Sequence, residues 1–100
     1  MQIAIRTYYG KNDKKLFDLV EKHQVEVKQL MGSVEGLVSY TLARNSLGGF
    51  SVTVCKDQSG IQKSLQTKQN FIAQHVSDLH LAAMQIIEGE VITHLAERVA

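Results

Sequence analysis

The first eight residues, Met1-Gln2-Ile3-Ala4-Ile5-Arg6-Thr7-Tyr8, alternate with a period of two. Successive strand side chains point to opposite faces, so the run predicts a strand with Ile3, Ile5 and Thr7 on one face and Ala4, Arg6 and Tyr8 on the other. Gly10, Lys11 and Asn12 read as a turn. From Asp13 to Met31 the period changes. Leu16, Val20, His23, Val27, Leu30 and Met31 recur every three or four residues, which places them on one stripe of a helix. Asn12 or Asp13 suits the N-cap, where a side-chain oxygen accepts a bond from an unpaired first-turn amide. Lys14 and Lys15 oppose the helix dipole by tenths of a kcal/mol. Gly32 is placed to end the helix in a left-handed conformation.

Two further runs, Leu37 to Arg44 and Phe50 to Cys55, are rich in β-branched and aromatic residues and read as strands. Val38, Tyr40 and Leu42 share one face of the first, and Phe50, Val52 and Val54 one face of the second. Asn45-Ser46-Leu47-Gly48-Gly49 between them predicts a hairpin loop. Ser59-Gly60-Ile61-Gln62 has the form of a capping box opening a second helix. Its buried stripe runs through Ile61, Leu65, Lys68, Ile72, His75 or Val76, and Leu79, with Phe71 beside it. That helix weakens near Ser77-Asp78, and His80 to Met84 form a connector. The final strand spans about Ile86 to Leu95, with Gly89 at a bulge or bend.

The order β-α-β-β-α-β predicts an α+β, ferredoxin-like domain over residues 1–100: a four-stranded antiparallel sheet with both helices on one face. The bulky face, with Ile3, Ile5, Val38, Tyr40, Leu42, Phe50, Val52, Val54, Val91 and Leu95, is expected to meet the helices. The other face carries Ala4, Arg6, Tyr8, Ser39, Thr41, Ala43, Ser51, Thr53, Cys55, Ile92 and His94. It is small and polar but poor in acids and lysines, whereas a solvated sheet face normally carries more charge. A second sheet from an identical subunit is therefore expected to cover it about a two-fold axis.

Composition narrows the functional classes. One hundred residues suit one domain, and 44% hydrophobic with 21% charged residues is ordinary for a globular chain. Eleven basic against ten acidic residues leave a net charge of +1, which disfavours nucleic acid and a polybasic membrane anchor. No apolar run approaches the roughly 18 residues of a membrane span. A lone Cys55 forms no internal disulfide, and with no signal peptide a cytoplasmic setting is expected.

The pattern resembles the dimeric α/β-barrel superfamily, and within it the antibiotic-biosynthesis-monooxygenase-like domains. The resemblance rests on Met31-Gly32 closing a long helix before Val34-Glu35-Gly36-Leu37-Val38-Ser39-Tyr40. It rests equally on Phe50 to Lys56 running straight into helix two, on Phe71-Ile72-Ala73-Gln74-His75, and on Glu88-Gly89-Glu90-Val91-Ile92. It implies sheets paired across a homodimer, a cavity between each sheet and its helices, and, in some members, cofactor-free oxygenation of aromatic polyketides or quinols. Other members degrade haem, with a histidine late in helix two, a tryptophan ending strand three and an asparagine in strand one. This chain has His75 at the first position and Cys55 at the second, and its strand one holds no asparagine. One of three positions survives, so no haem and no other cofactor is expected.

Each candidate has a plainer reading beside the functional one. His75 is an axial ligand or an acid/base group facing the cavity, or else a hydrogen-bonded histidine at the pocket edge or helix end. Tyr40, Phe17, Phe50 and Phe71 either line a pocket for a small aromatic molecule by stacking or fill the core. Cys55, beside Lys56, is either a reactive thiol or a packed small hydrophobe. Arg6 either fixes an anion or forms an ordinary ion pair. His75 and His80, five apart, do not share a helix face, and His23 and His94 lack partners at ligand spacing, so no metal is expected. Gly48-Gly49 lacks the context of a phosphate loop. Three functions are compatible with the chain: a cofactor-independent monooxygenase using His75 or Tyr40, a non-catalytic dimeric module that binds a small ligand or a partner, and, least favoured by the residues, a haem binder.

Overall fold

A computed structural model describes residues 1–9, 11–75 and 85–96, with side chains set aside at 11–13. The expectations for Gly10, Val76, Ser77-Asp78, Leu79 and His80 to Met84 lie outside the described residues. The elements are β1 (Gln2–Tyr9), α1 (Lys11–Lys22), α2 (Gln24–Gly32), β2 (Leu37–Asn45), β3 (Gly48–Cys55), α3 (Gln58–His75) and β4 (Gln85–Glu90). All strand pairs are antiparallel, in the order β2-β3-β1-β4. This is the ferredoxin-like α+β arrangement.

The first predicted helix is two. It breaks at His23, whose φ of −116° and ψ of 34° leave the helical region. The carbonyls of Leu19 and Val20 both accept from His23 N, and the His23 carbonyl restarts the ladder by accepting from Val27 N at 3.0 Å. Helix α1 starts at Lys11, which puts Asn12 and Asp13 inside its first turn. Helix α2 ends on Ser33 in the right-handed region, and the left-handed glycine is Gly36 (φ 85°), not Gly32. Helix α3 opens one residue before the predicted capping box. Asp57 caps it, its Oδ1 accepting from Gly60 N at 3.0 Å.

The β2–β3 turn takes only Ser46 and Leu47, with Asn45 Oδ1 accepting from Leu47 N at 2.9 Å. Gly48 follows with φ 146°, and a Cβ there would lie 2.0 Å from the Tyr8 carbonyl oxygen. A register irregularity between Leu37 and Ser39 interrupts β2. Strand β4 ends at Glu90, and its pairing with β1 passes Gly89 without a break, so residues 91–95 are not strand.

The two faces of the sheet are the reverse of the sequence expectation. Ala4, Arg6, Tyr8, Ser51, Thr53 and Cys55 are buried beneath the helices. Ala4, Cys55 and Ile61 form one buried cluster, and Tyr8, Leu16 and Phe17 another. Small side chains let the helices come close: a Cβ on Gly60 would lie 2.8 Å from the Cys55 Cβ, and one on Gly49 2.4 Å from Phe17 Cζ. Tyr40 and Leu42, assigned with the bulky face, belong with the helices because β2 is offset by the irregularity after Leu37. The outer face pairs Ile5 with Val52 and Ile87, and Thr7 with Phe50.

Candidate functional site

Burying the helix stripes against this sheet face leaves a cavity of about 370 Å³. Strands β1 and β2 supply its floor through Arg6, Tyr8, Tyr40 and Leu42. The walls come from the periodic apolar positions of the helices, including Leu16 and Val20 of α1, Val27 and Leu30 of α2, and Phe71 and Ile72 of α3. Val20, Tyr40 and Leu42 are shared with a second opening beside Phe17 and Arg44. Such a cavity, apolar with a few convergent polar groups, has the size and make-up of small-molecule sites.

Its polar groups are unusual. The Arg6 side chain is 5% exposed, and its Nη2 meets Glu88 Oε1 at 3.7 Å while its Nη1 is buried without a partner. Lys68 Nζ is likewise buried without a hydrogen-bond partner and lies 5.4 Å from the centre of the Tyr40 ring. Desolvation, reinforced by the nearby Arg6 charge, brings the Lys68 ammonium down to about 8. Burial pushes the Tyr40 phenol far above its ordinary range, with Tyr8 adding to the effect and Arg6 opposing it. Ser51 Oγ and Thr53 Oγ1, facing the same side, are also buried and unpartnered. They sit beside Arg6 and Tyr40 in the sheet register.

The sequence-derived candidates are partly brought together. Tyr40 and Phe71 line the cavity, and Phe17 lines the adjoining opening. Phe17 stands edge-on to Tyr8 at 6.5 Å, beneath the Arg44 guanidinium. Arg44 bonds Asp18 and Glu21 at 2.8 Å each and so ties β2 to α1. Phe50 lies on the opposite face of the sheet, paired with Thr7 and Ala43. Cys55 is fully buried under Gly60, and burial, then the Asp57 charge, raises its thiol pKa. A raised pKa suits a packing role rather than a reactive thiolate.

His75 is not among the lining residues. It stacks on Phe71 and His23, with ring centroids 4.6 and 4.4 Å apart, and its Nε2 meets Glu26 Oε2 at 3.3 Å. Ligand atoms of His23, Glu26 and His75 lie within 4.8 Å of one another. Sequence spacing shows only the i,i+3 half of that group, His23 with Glu26, because His75 arrives from another helix. Arg6 was singled out in the sequence, whereas Lys68 was read only as part of the buried stripe. Its placement there, at a position that otherwise wants an apolar side chain, was the available signal.

No family model matches the chain, and no curated protein matches it. Solved structures do. A Deinococcus radiodurans protein, named a "putative antibiotic biosynthesis monooxygenase", superposes with a TM-score of 0.61 at 15% identity, covering 98% of this chain and 99% of that one. The likeness is one of fold, the ferredoxin-like α+β arrangement. A dimeric ferredoxin-like protein from an uncultured marine organism matches with a TM-score of 0.60 at 14% identity over 96% of each chain. MupZ from Pseudomonas fluorescens matches with a TM-score of 0.64 at 12% identity over 87% of this chain, which spans 65% of the length of MupZ. Among the described residues no helix is long and apolar enough to cross a membrane.

Proposed function

We propose that this monooxygenase-like domain is a cofactor-independent monooxygenase acting on a small aromatic or quinol substrate held between sheet and helices. The observation that carries the reading is the 370 Å³ apolar cavity with Tyr40, Arg6 and Lys68 among its lining residues. Apolar walls exclude water and hold an aromatic ring by contact, and the cations favour the deprotonated quinol, the electron-rich form that reacts with oxygen. The reaction balances without an external reductant. A quinol and O₂ give a hydroxyquinone and water, one oxygen atom entering a ring C–H bond and the other leaving as water. The quinol itself supplies all the electrons. Tyr40, kept protonated by its burial, donates a hydrogen bond to the substrate oxygen from the cavity floor, and His75 stands behind Phe71.

The domain works as a homodimer in this reading, through the outer sheet face. Ile5, Val52 and Phe50 are only half-buried there, and Ile87 is 51% exposed, while Ile92 and Leu95 beyond β4 are 94% exposed. The row Val52-Ile5-Ile87 across three strands is an apolar strip suited to an interface. The covering partner is a second copy about a two-fold axis, as the dimeric neighbour suggests.

The experiment is oxygen uptake with 1,4-naphthohydroquinone above its uncatalysed rate, with ¹⁸O₂ used to count oxygen atoms in the product. One labelled atom per 2-hydroxy-1,4-naphthoquinone is expected. Tyr40→Phe should lower kcat about tenfold or more, while His75→Ala should leave it within about twofold. Binding of the quinol without catalysed uptake selects the second reading, a non-catalytic ligand-binding module. That reading is favoured by one observation: none of the described histidines lines the cavity.

A further inference from the structure

Arg6 and Lys68 bring two cationic groups to one cavity, and Glu88 is paired with Arg6 alone. Glu88 is exposed, does not line the cavity and lies 3.7 Å from Arg6 Nη2, too long for a hydrogen bond and only a loose ion pair. One positive charge is therefore in surplus. Arg6 Nη1 and Lys68 Nζ are each buried with no hydrogen-bond acceptor. Buried ammonium and guanidinium groups are costly unless paired and hydrogen-bonded, and chains rarely keep two of them unpaired at one place. Two lining residues with unpaired donors beside an apolar cavity are complementary to an anionic oxygen group at one end of an otherwise apolar molecule.

We propose that Arg6 and Lys68 form the recognition end of the cavity for an aromatic ligand that carries one anionic oxygen group. This rests on the reading that the cavity takes an aromatic molecule, and it adds the charge of that molecule. Arg6 supplies a planar donor fixed by the sheet. Lys68 supplies a compact charge from α3 on the facing wall. The ring of Tyr40, beneath the Lys68 ammonium, fixes the depth at which the charged end sits. Burial of the pair makes each bond to the anion stronger than it would be in water. The ligand class is thus a monoanionic aromatic acid, enolate or phenolate rather than a neutral hydrocarbon.

The test uses two isosteric probes, 2-naphthoate and 2-naphthamide, titrated by calorimetry at pH 7 against the full chain. The same rings fill the cavity, and only the charge differs. Naphthoate is expected to bind about tenfold or more tighter than naphthamide. In Lys68→Met and in Arg6→Gln that ratio should fall to about threefold or less, with naphthamide affinity kept. Lys68→Arg should retain most of the preference. Equal binding of both probes by the parent protein overturns the anion site and leaves the aromatic cavity standing. Binding of neither probe overturns both. A preference that persists in the two variants overturns the assignment to this pair. If Arg6→Gln fails to fold, as a melting curve would show, Lys68→Met on its helix decides the matter.

Discussion

Lys68 has a folded-state pKa of about 8 against an ordinary 10.5, because its ammonium is desolvated and faces Arg6. Between these values the unfolded chain binds more protons than the folded one, so this residue makes stability rise with pH across that window. Below pH 8 the charge opposes folding in full, and the opposition fades towards pH 10.5. Replacing the ammonium with an apolar side chain removes it. Lys68→Met should therefore be more stable than the parent by about 1–2 kcal/mol at pH 7, measured by urea unfolding. Repeated at pH 10, the gain should shrink towards zero. The elevated Tyr40 and Cys55 groups are common to both proteins and cancel in the difference. A gain independent of pH would contradict the desolvation account. In the sequence, Lys68 is visible only as a misfit on an apolar stripe. Its partners become visible when β1, β2 and α3 are in place.

Among the elements, periodicity located the four strands and the helical stretches but ran α1 and α2 together, and local chemistry misplaced several ends. Helix α3 shows why. Ser59 and Gln62 satisfy a capping-box pattern, but Asp57 is two residues upstream and its carboxylate reaches the third helical amide first. Asp57→Ala should cost about 1 kcal/mol of unfolding free energy. Ser59→Ala should cost clearly less, and a larger loss at Ser59 would restore the capping box. The break at His23 left no clear sequence signal, since the apolar stripe continues through it. In the structure His23 turns to meet Phe71 and His75 on α3, and that contact with α3 accompanies the interruption.

For the whole molecule, the reversed sheet faces carry the main lesson. Bulk suggested that Ile3, Ile5 and Val52 meet the helices. The helices instead approach closely over Ala4, Ser51, Thr53 and Cys55, where small side chains permit it. The branched residues are left on the outer face, suited to a sheet-on-sheet contact. The expectation that one sheet face is reserved for a second copy stands as a proposal, moved to the opposite face. Val52→Lys, which points outward opposite Ile5, should give a folded monomer in sedimentation equilibrium where the parent sediments as a dimer. A parent chain that sediments as a monomer at tens of micromolar would sink the interface.

Alternation and spacing along the chain determined the β-α-β-β-α-β order, the apolar stripes that wall the cavity, and the ferredoxin-like class, because these depend on each residue's own period. Three matters were decided only by tertiary structure. One is which sheet face the helices cover, which depends on how closely backbones can approach. Another is the meeting of Arg6 with Lys68, 62 positions apart in the chain, which depends on strand order. The last is that His75 faces Glu26 rather than the cavity, which follows from the turn of one helix against another.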